Sequence, residues 1–395
     1  MSDEPTLKIL ASREGARQIS RRAFMAGASV TAVGGSLILS GCGSSNDSGG
    51  EPTPSAAPSG AIESSLNIYN WADYDDPKLY KKFTAETGAK VQVDVFDSNE
   101  QAVAKLNAAG GTSGFDVMCP TGTFIPLMVQ QQLIQPLDTA RLTNFGNILP
   151  EYLDQAWDPG NKYSVPKDWG TTGFMYDKRV VKRPMATWQD FMDAMQNEAA
   201  NNTSVLGSPA NVCALYFWTQ DPFGDWTTTD TAELDACETF ILEEVAPYVK
   251  AYDSYPGIAI TQGKYALSQI WNGDARAGLT RGDNPENFEW VFPGPVTEIW
   301  MDTWTIVAGA PNPNAAYAWI DWILQPEISY IDLQYHGYNT AIQGVEEKAL
   351  ADNIPFPEII FFDEDQVAQM VPGAVNEGLD RQNEIFQKAK AVSAS

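Results

Sequence analysis

The feature that most constrains this chain is an alternation of short apolar strands and one-faced helices that starts at Leu66 and holds its pitch through most of the remaining length. Leu66 to Trp71 reads as a strand. Pro77 to Thr87 has helical spacing, with Leu79 and Phe83 on one face, and stops before Gly88. Lys90 to Phe96 alternates with a period of two, as a half-buried strand does. Ser98 then caps a helix, with Gln101 three residues on and Ala102, Leu106 and Ala109 on its apolar side. Phe115 to Cys119 is a third strand. Strand-helix-strand-helix order at this pitch predicts an α/β fold, a mostly parallel sheet with helices on its faces. Ligands of such sheets sit beyond the carboxyl ends of the strands, where Trp71-Ala72-Asp73-Tyr74 and Pro120-Thr121-Gly122-Thr123 fall.

A second pattern of the same kind follows. Thr187 caps a helix carrying Trp188, Phe191, Met192 and Met195, with Asp190 at the capping-box position. Ser204 to Gly207 is a short strand, and helices are expected at 212–219 and 231–252. Tyr265 to Trp271 is a strand ending in Asn272-Gly273-Asp274, and Ile299 to Val307 is another. Helices at 314–324 and 327–335 lead to Tyr338. The length after residue 62 suits two domains of ordinary size.

The N-terminus addresses the compartment. Arg21-Arg22 inside Ser20-Arg21-Arg22-Ala23-Phe24-Met25 precede an uncharged stretch to Gly41, rich in Ala, Gly, Val and Leu but diluted by Ser and Thr. That is an export signal of the twin-arginine type over 1–41 rather than a membrane span. Leu39-Ser40-Gly41-Cys42 reads as a lipidation site, with Cys42 the acylated first residue of the mature protein. Residues 42–62, dense in Gly, Ser and Pro, are read as a flexible tether to the membrane.

The whole chain carries 25 Lys+Arg against 51 Asp+Glu. Residues 1–41 hold five of the former and three of the latter, which leaves 20 against 48, a formal charge of −28. That balance argues strongly against nucleic-acid binding, which needs a basic footprint. Such a charge draws cations, though acidic surfaces also serve solubility. Cys119, Cys213 and Cys237 have no CxxC spacing, so no zinc site is expected, and no other metal or cofactor is indicated. Cys213 and Cys237 lie on neighbouring helices, as either a disulfide or two buried thiols. The single histidine, His336, and the absence of G-x-S-x-G and of a phosphate-binding glycine loop speak against a Ser-His-Asp hydrolase and an NTPase.

Several short segments, in this order, carry a resemblance: Asn70-Trp71-Ala72-Asp73-Tyr74, Asp94 to Glu100, Phe115-Asp116-Val117, Leu142 to Phe145, Tyr163 to Pro166, Trp169-Gly170, Trp271-Asn272-Gly273-Asp274, Trp300-Met301-Asp302 and Gly337-Tyr338. From Leu66 to the C-terminus the sequence resembles the periplasmic spermidine/putrescine-binding proteins of ABC importers. The resemblance implies a two-lobed periplasmic-binding-protein fold with the ligand in the inter-lobe cleft. One lobe would comprise 63–170 and 301–345, the other 171–300 and 346–395, with crossings near Gly170, Trp300 and Gly344. It further implies a polyamine ligand, an ABC permease as partner, a monomer, and no catalysis.

Carried over residue by residue, Trp71, Trp271 and Trp300 would wall the methylene chain, with Tyr338 near one end and Tyr74 in the same set. Asp73, Asp274 and Asp302 would grip ammonium groups, while Thr121 and Thr123 lend hydroxyl and backbone contacts. The physics suits such a ligand: aromatic faces accept an alkyl chain and attract a flanking cation, and a buried ammonium needs a carboxylate. Asp274 also fits a helix N-cap. The chain departs from the family at Gly207-Ser208-Pro209-Ala210-Asn211-Val212, where relatives carry acids, and at Lys167-Asp168, where relatives are uncharged. The far end of the ligand is therefore open: a shorter diamine, a monoamine with a polar tail, or a polyamine whose other end meets Asp168 or water. Two further readings stand beside the polyamine: a receptor for another cationic or zwitterionic amine, and, from a different class, a carboxylate-pair glycoside hydrolase.

Overall fold

A computed structural model describes residues 60–110 and 113–394. The export signal at 1–41, the lipidation at Cys42 and the tether up to residue 59 lie outside the described residues. The body takes hold at Glu63. Its carboxylate accepts hydrogen bonds from the Ala315 backbone (2.7 Å) and the Asn314 amide (2.9 Å), an anion at the open N-terminus of the helix Pro313–Ile323.

Eleven strands of the described residues form one sheet. They are β1 (Ser65–Trp71), β2 (Lys90–Phe96), β3 (Val117–Met118), β4 (Ser164–Asp177), β5 (Thr203–Val205), β6 (Val249–Tyr252), β7 (Leu267–Trp271), β8 (Phe288–Val291), β9 (Thr297–Ile306), β10 (Asn339–Thr340) and β11 (Met370–Pro372). The order is β2-β1-β3-β9-β4-β7-β5-β6, with β8 and β10 beside β4 and β11 beside β9. β1 runs parallel to β2 and β3, and β5 runs parallel to β6 and β7; the two parallel halves meet at the antiparallel pair β4–β9. This is the α/β fold expected, since parallel neighbours need crossovers and helices supply them.

Two cores flank that pair. Leu66, Ile68, Phe83, Trp304, Trp319 and Leu333 centre the first. Phe174, Trp188, Phe191, Trp218 and Leu267 centre the second, which rests on the Thr187–Asp190 capping box. β4 passes from one to the other: Ser164 to Thr171 pair with β9, Thr172 to Tyr176 with β7. The third passage differs from the expectation of a 345/346 boundary. Val345, Ala349, Ile354 and Ile360 all pack in the first core, whereas Ile385, Phe386 and Ala389 of the helix Gly378–Ser393 pack in the second. Between them Ile359 packs with Met175, Ile260 and Ile270, so residues 354–360 touch both halves.

One local expectation is corrected, and one open choice is decided. The helix expected over 231–252 stops at Phe240, passes through a π turn (Ile241–Val245) and a 3₁₀ turn (Ala246–Tyr248), and becomes β6. Pro247 has no N–H to continue the helical ladder, and Val249 to Tyr252 suit a strand. Cys213 and Cys237 are free buried thiols, with the Cys237 thiol 3.7 Å from the Cys213 carbonyl oxygen.

Candidate functional site

β9 lays down the floor of the site. Alternate residues of a strand share a face, so Glu298, Trp300 and Asp302 project to one side, and all three line a single cavity. Trp71, at the end of β1, and Trp271, at the end of β7, reach the same cavity from the two parallel halves. Gly170 makes room for this on the neighbouring hinge strand: a Cβ there would collide with the Trp300 ring and the Asn272 amide. Tyr338 follows the left-handed cap Gly337 and meets Trp300 edge to face, centroids 4.8 Å apart at 80°. It also packs so close over Gly273 that a side chain at that position would overlap it.

Asp302 is held on both carboxylate oxygens. Thr121 Oγ1 donates to its Oδ1 at 2.7 Å, and Tyr74 Oη shares a hydrogen bond with its Oδ2 at 2.8 Å. Thr121 is itself fixed by Asn99, whose amide nitrogen reaches the hydroxyl (3.0 Å) and whose amide oxygen takes the Thr121 N–H (3.1 Å). Burial, with Asp168 nearby, pushes Asp302 up to about 7.

Behind Asp302 lies a buried charge cluster. Lys167 Nζ sits 2.8 Å from Asp168, 3.1 Å from Asp332 and 3.3 Å from Asp75, and 4.1 Å over the Tyr74 ring. Burial alone would lower the lysine; the three carboxylates outweigh it and raise its pKa well above the usual value. His336 Nδ1 accepts from the Tyr338 N–H at 2.9 Å, which leaves the proton on Nε2, facing Asp332 and Asp168. Its pKa is driven well down, by burial first and by Lys167 second, so it is neutral. Asp168 is fully buried in this cluster, so the reading in which it meets the far end of the ligand is corrected.

The sequence-predicted site residues divide cleanly. Trp71, Tyr74, Thr121, Thr123, Trp271, Trp300, Asp302 and Tyr338 all line the cavity. Asp73 does not: it takes a left-handed backbone (φ 56°), turns outward, and accepts a hydrogen bond from Tyr335 Oη at 3.0 Å on an exposed surface. Asp tolerates that conformation, and the turn it makes reverses the face set by β1. Asp274 does not line it either. It lies in the first turn of the helix Asn272–Arg281 and accepts from the Gly257 N–H at 2.7 Å, capping the neighbouring short helix Pro256–Thr261.

Sequence reasoning missed Glu298, Glu100, Trp226 and Tyr255, which also line the cavity. Glu298 carried a signal, two residues before Trp300 on the same strand face. Trp226 and Tyr255 lie in loop segments without periodicity and carried none. No lysine, arginine or histidine lines this cavity among the described residues. Asp302 and Glu298 are thus acids without a cationic neighbour on the cavity side.

A cleft between two α/β cores, floored by strands that run from one core into the other, is the architecture of the periplasmic binding proteins. The chain belongs to the bacterial extracellular solute-binding protein family, whose model matches residues 78–375. It is 29% identical over 318 residues to the putrescine/agmatine-binding protein of Pseudomonas aeruginosa, covering 74% of this chain and 83% of that protein. It is 31% identical over 277 residues to the spermidine/putrescine-binding periplasmic protein of Salmonella typhimurium, covering 70% and 77%. Among solved structures, the spermidine/putrescine ABC transporter substrate-binding protein of Streptococcus pneumoniae superposes with a TM-score of 0.69 at 27% identity, over 84% of this chain and all of that one. These relatives are extracytoplasmic transport proteins rather than enzymes, which turns the balance against a hydrolase.

Proposed function

We propose that the protein captures a small polyamine in the cleft and hands it to an ABC permease. The observation that carries this reading is the lining: four tryptophans (Trp71, Trp226, Trp271 and Trp300) and Tyr338 around buried carboxylates, with no protein cation to neutralise them. Aromatic faces favour an alkyl chain and a flanking ammonium, each contact contributing about 0.5–2 kcal/mol. A carboxylate left alone in a dry cleft is costly, and a ligand ammonium relieves that cost. The eight predicted residues that line the cavity form the ligand site. Asp302 is its main anion, held in place by Tyr74 and Thr121. Asp73 and Asp274 act at its margins, through the Tyr335 contact and the cap of Pro256–Thr261.

The chain working as a monomer, tethered through acylated Cys42, places this cleft on the outer face of the membrane beside the permease. The twin-arginine pair and Leu39-Ser40-Gly41-Cys42 support that placement. Titration calorimetry with putrescine, spermidine and a neutral sugar tests the reading. Putrescine or spermidine should bind and the sugar should not. Failure of both amines to bind the ligand-free protein would refute it.

A further inference from the structure

The segment from Gly207 to Val212, which borders the cavity, carries no acid. Another residue supplies a carboxylate on that side. Glu298 stands at the start of β9, where that strand enters the second half of the fold, and lines the cavity with Asn211. Its Oε2 accepts from Asn211 Nδ2 at 2.6 Å and from Thr172 Oγ1 at 2.7 Å. Asn211 is itself positioned: it opens the helix Pro209–Trp218, and its backbone carbonyl accepts from Gln269 at 3.0 Å. Two neutral donors thus hold one oxygen of Glu298, and no cation of the protein faces the group in the cavity.

We propose that Glu298 is the acceptor for the second ammonium group, which makes the cleft selective for an α,ω-diamine unit over a monoamine. This rests on the amine reading above and adds the residue that sets the length of the ligand. The strand gives the spacing. Glu298 and Asp302 lie four residues apart on one face, which is about 13 Å along a strand. A charge-assisted bond of about 2.8 Å at each end leaves about 7–8 Å between the two nitrogens. An extended chain advances about 1.2 Å per bond, judged from three backbone bonds per residue at full extension. The span therefore accommodates four to six methylenes. Trp300 lies midway between the two acids, opposite the methylenes. Acid, aromatic ring and acid along β9 match ammonium, alkyl chain and ammonium along the ligand.

The test compares 1,4-diaminobutane with butylamine on the wild type and on Glu298→Gln. The amide keeps an oxygen for Asn211 and Thr172 and removes the charge. In the wild type the diamine should bind about 10- to 100-fold more tightly than the monoamine, as a charge-assisted bond is worth that much. In Glu298→Gln that ratio should fall to within about threefold. A ratio unchanged by the substitution would overturn the assignment of Glu298. A second measurement needs no variant: a series from 1,3-diaminopropane to 1,8-diaminooctane on the wild type should give an affinity maximum at four to six methylenes. Affinity that is flat or climbs steadily with length overturns the spacing. Wild type that binds neither amine overturns the amine reading itself. Binding lost in Asp302→Asn but with the ratio kept in Glu298→Gln overturns only the inference made here.

Discussion

Tyr74 makes ligand binding a proton-linked event. A phenol carries one hydrogen, yet Tyr74 Oη lies 2.6 Å from Asp168 Oδ1 and 2.8 Å from Asp302 Oδ2. One hydrogen cannot serve two carboxylates at those distances, so a second proton must sit on one of the two acids. Lys167, 2.8 Å from the other oxygen of Asp168, favours the ionised form there. The proton therefore resides on Asp302, in keeping with a pKa pushed up to about 7 by burial and by Asp168. In the proposed site an arriving ammonium group needs Asp302 ionised and must displace that proton. Below pH 7 each pH unit then costs about 1.4 kcal/mol, a factor of ten in affinity. The ligand nitrogens stay charged to about pH 10, like a lysine, and add no slope of their own.

The expected curve is flat above pH 8, bends near 7 and falls about 100-fold between pH 7 and pH 5. Calorimetry in buffers of different ionisation enthalpy should show close to one proton released per ligand at pH 6 and almost none at pH 8.5. The ligand-free protein should behave oppositely. A carboxyl whose folded pKa is raised contributes stability that is full below its ordinary value and lost as pH rises through the folded value. For Asp302 and Asp274 that is about 7. Melting temperature without ligand should thus rise from pH 8.5 to pH 5.5, while affinity drops. Affinity unchanged over that range, or protons taken up on binding, would refute the shared-proton argument.

Three further outcomes are expected. Trp300→Ala should weaken putrescine about 10- to 100-fold through lost apolar contact and cation–π attraction, with the pH dependence of binding kept, as calorimetry at pH 6 and pH 8 will show. Lys167→Met strands Asp75, Asp168 and Asp332 without their cation; urea unfolding at pH 7 should show a loss of about 3–5 kcal/mol. Cys42→Ala should abolish membrane retention and leave amine binding intact, measured by cell fractionation and calorimetry on the released protein.

Much of the fold was legible because its elements announce themselves locally. Asp76 and Gly88 bound the helix Pro77–Thr87, Thr187 and Asp190 close a capping box, and β1 alternates its burial from Ser65 to Ile68. β4 was not legible, although it is the longest strand described. Every residue of Ser164–Asp177 is buried, so no polar-apolar alternation marks it, and Pro166, Gly170 and Gly173 read as loop signals. Those residues serve the crossing itself. Gly170 admits Trp300, and a Cβ at Gly173 would collide with the Val291 carbonyl. A segment buried by both halves of a molecule takes its conformation from contacts far along the chain, which a local pattern does not contain.

The site divides along the same physical line. Asp302 and Trp300 were readable because a strand fixes the direction of every second side chain, and the same rule reaches back to Glu298. Asp73 and Asp274 were matched by motif alone, and each follows a strand end where that rule lapses. At Asp73 the backbone turns left-handed and the carboxylate goes out to Tyr335. At Asp274 a helix has begun, and the nearest unpaired donor is the Gly257 N–H of a helix 17 residues earlier. The Lys167 cluster shows the converse. Asp75, Lys167, Asp168 and Asp332 come from three distant stretches and meet only because β4, the turn after β1 and the helix Pro326–His336 converge behind Tyr74. Asp302 and Glu298, on the cavity face of a strand, line the cavity, whereas Asp73 and Asp274, past a strand end, satisfy the protein's own donors. Carboxylate count alone would therefore have misjudged the charge the cleft can accept. On the direction of the strand, Glu298 and Asp302 are the two placed to hold it.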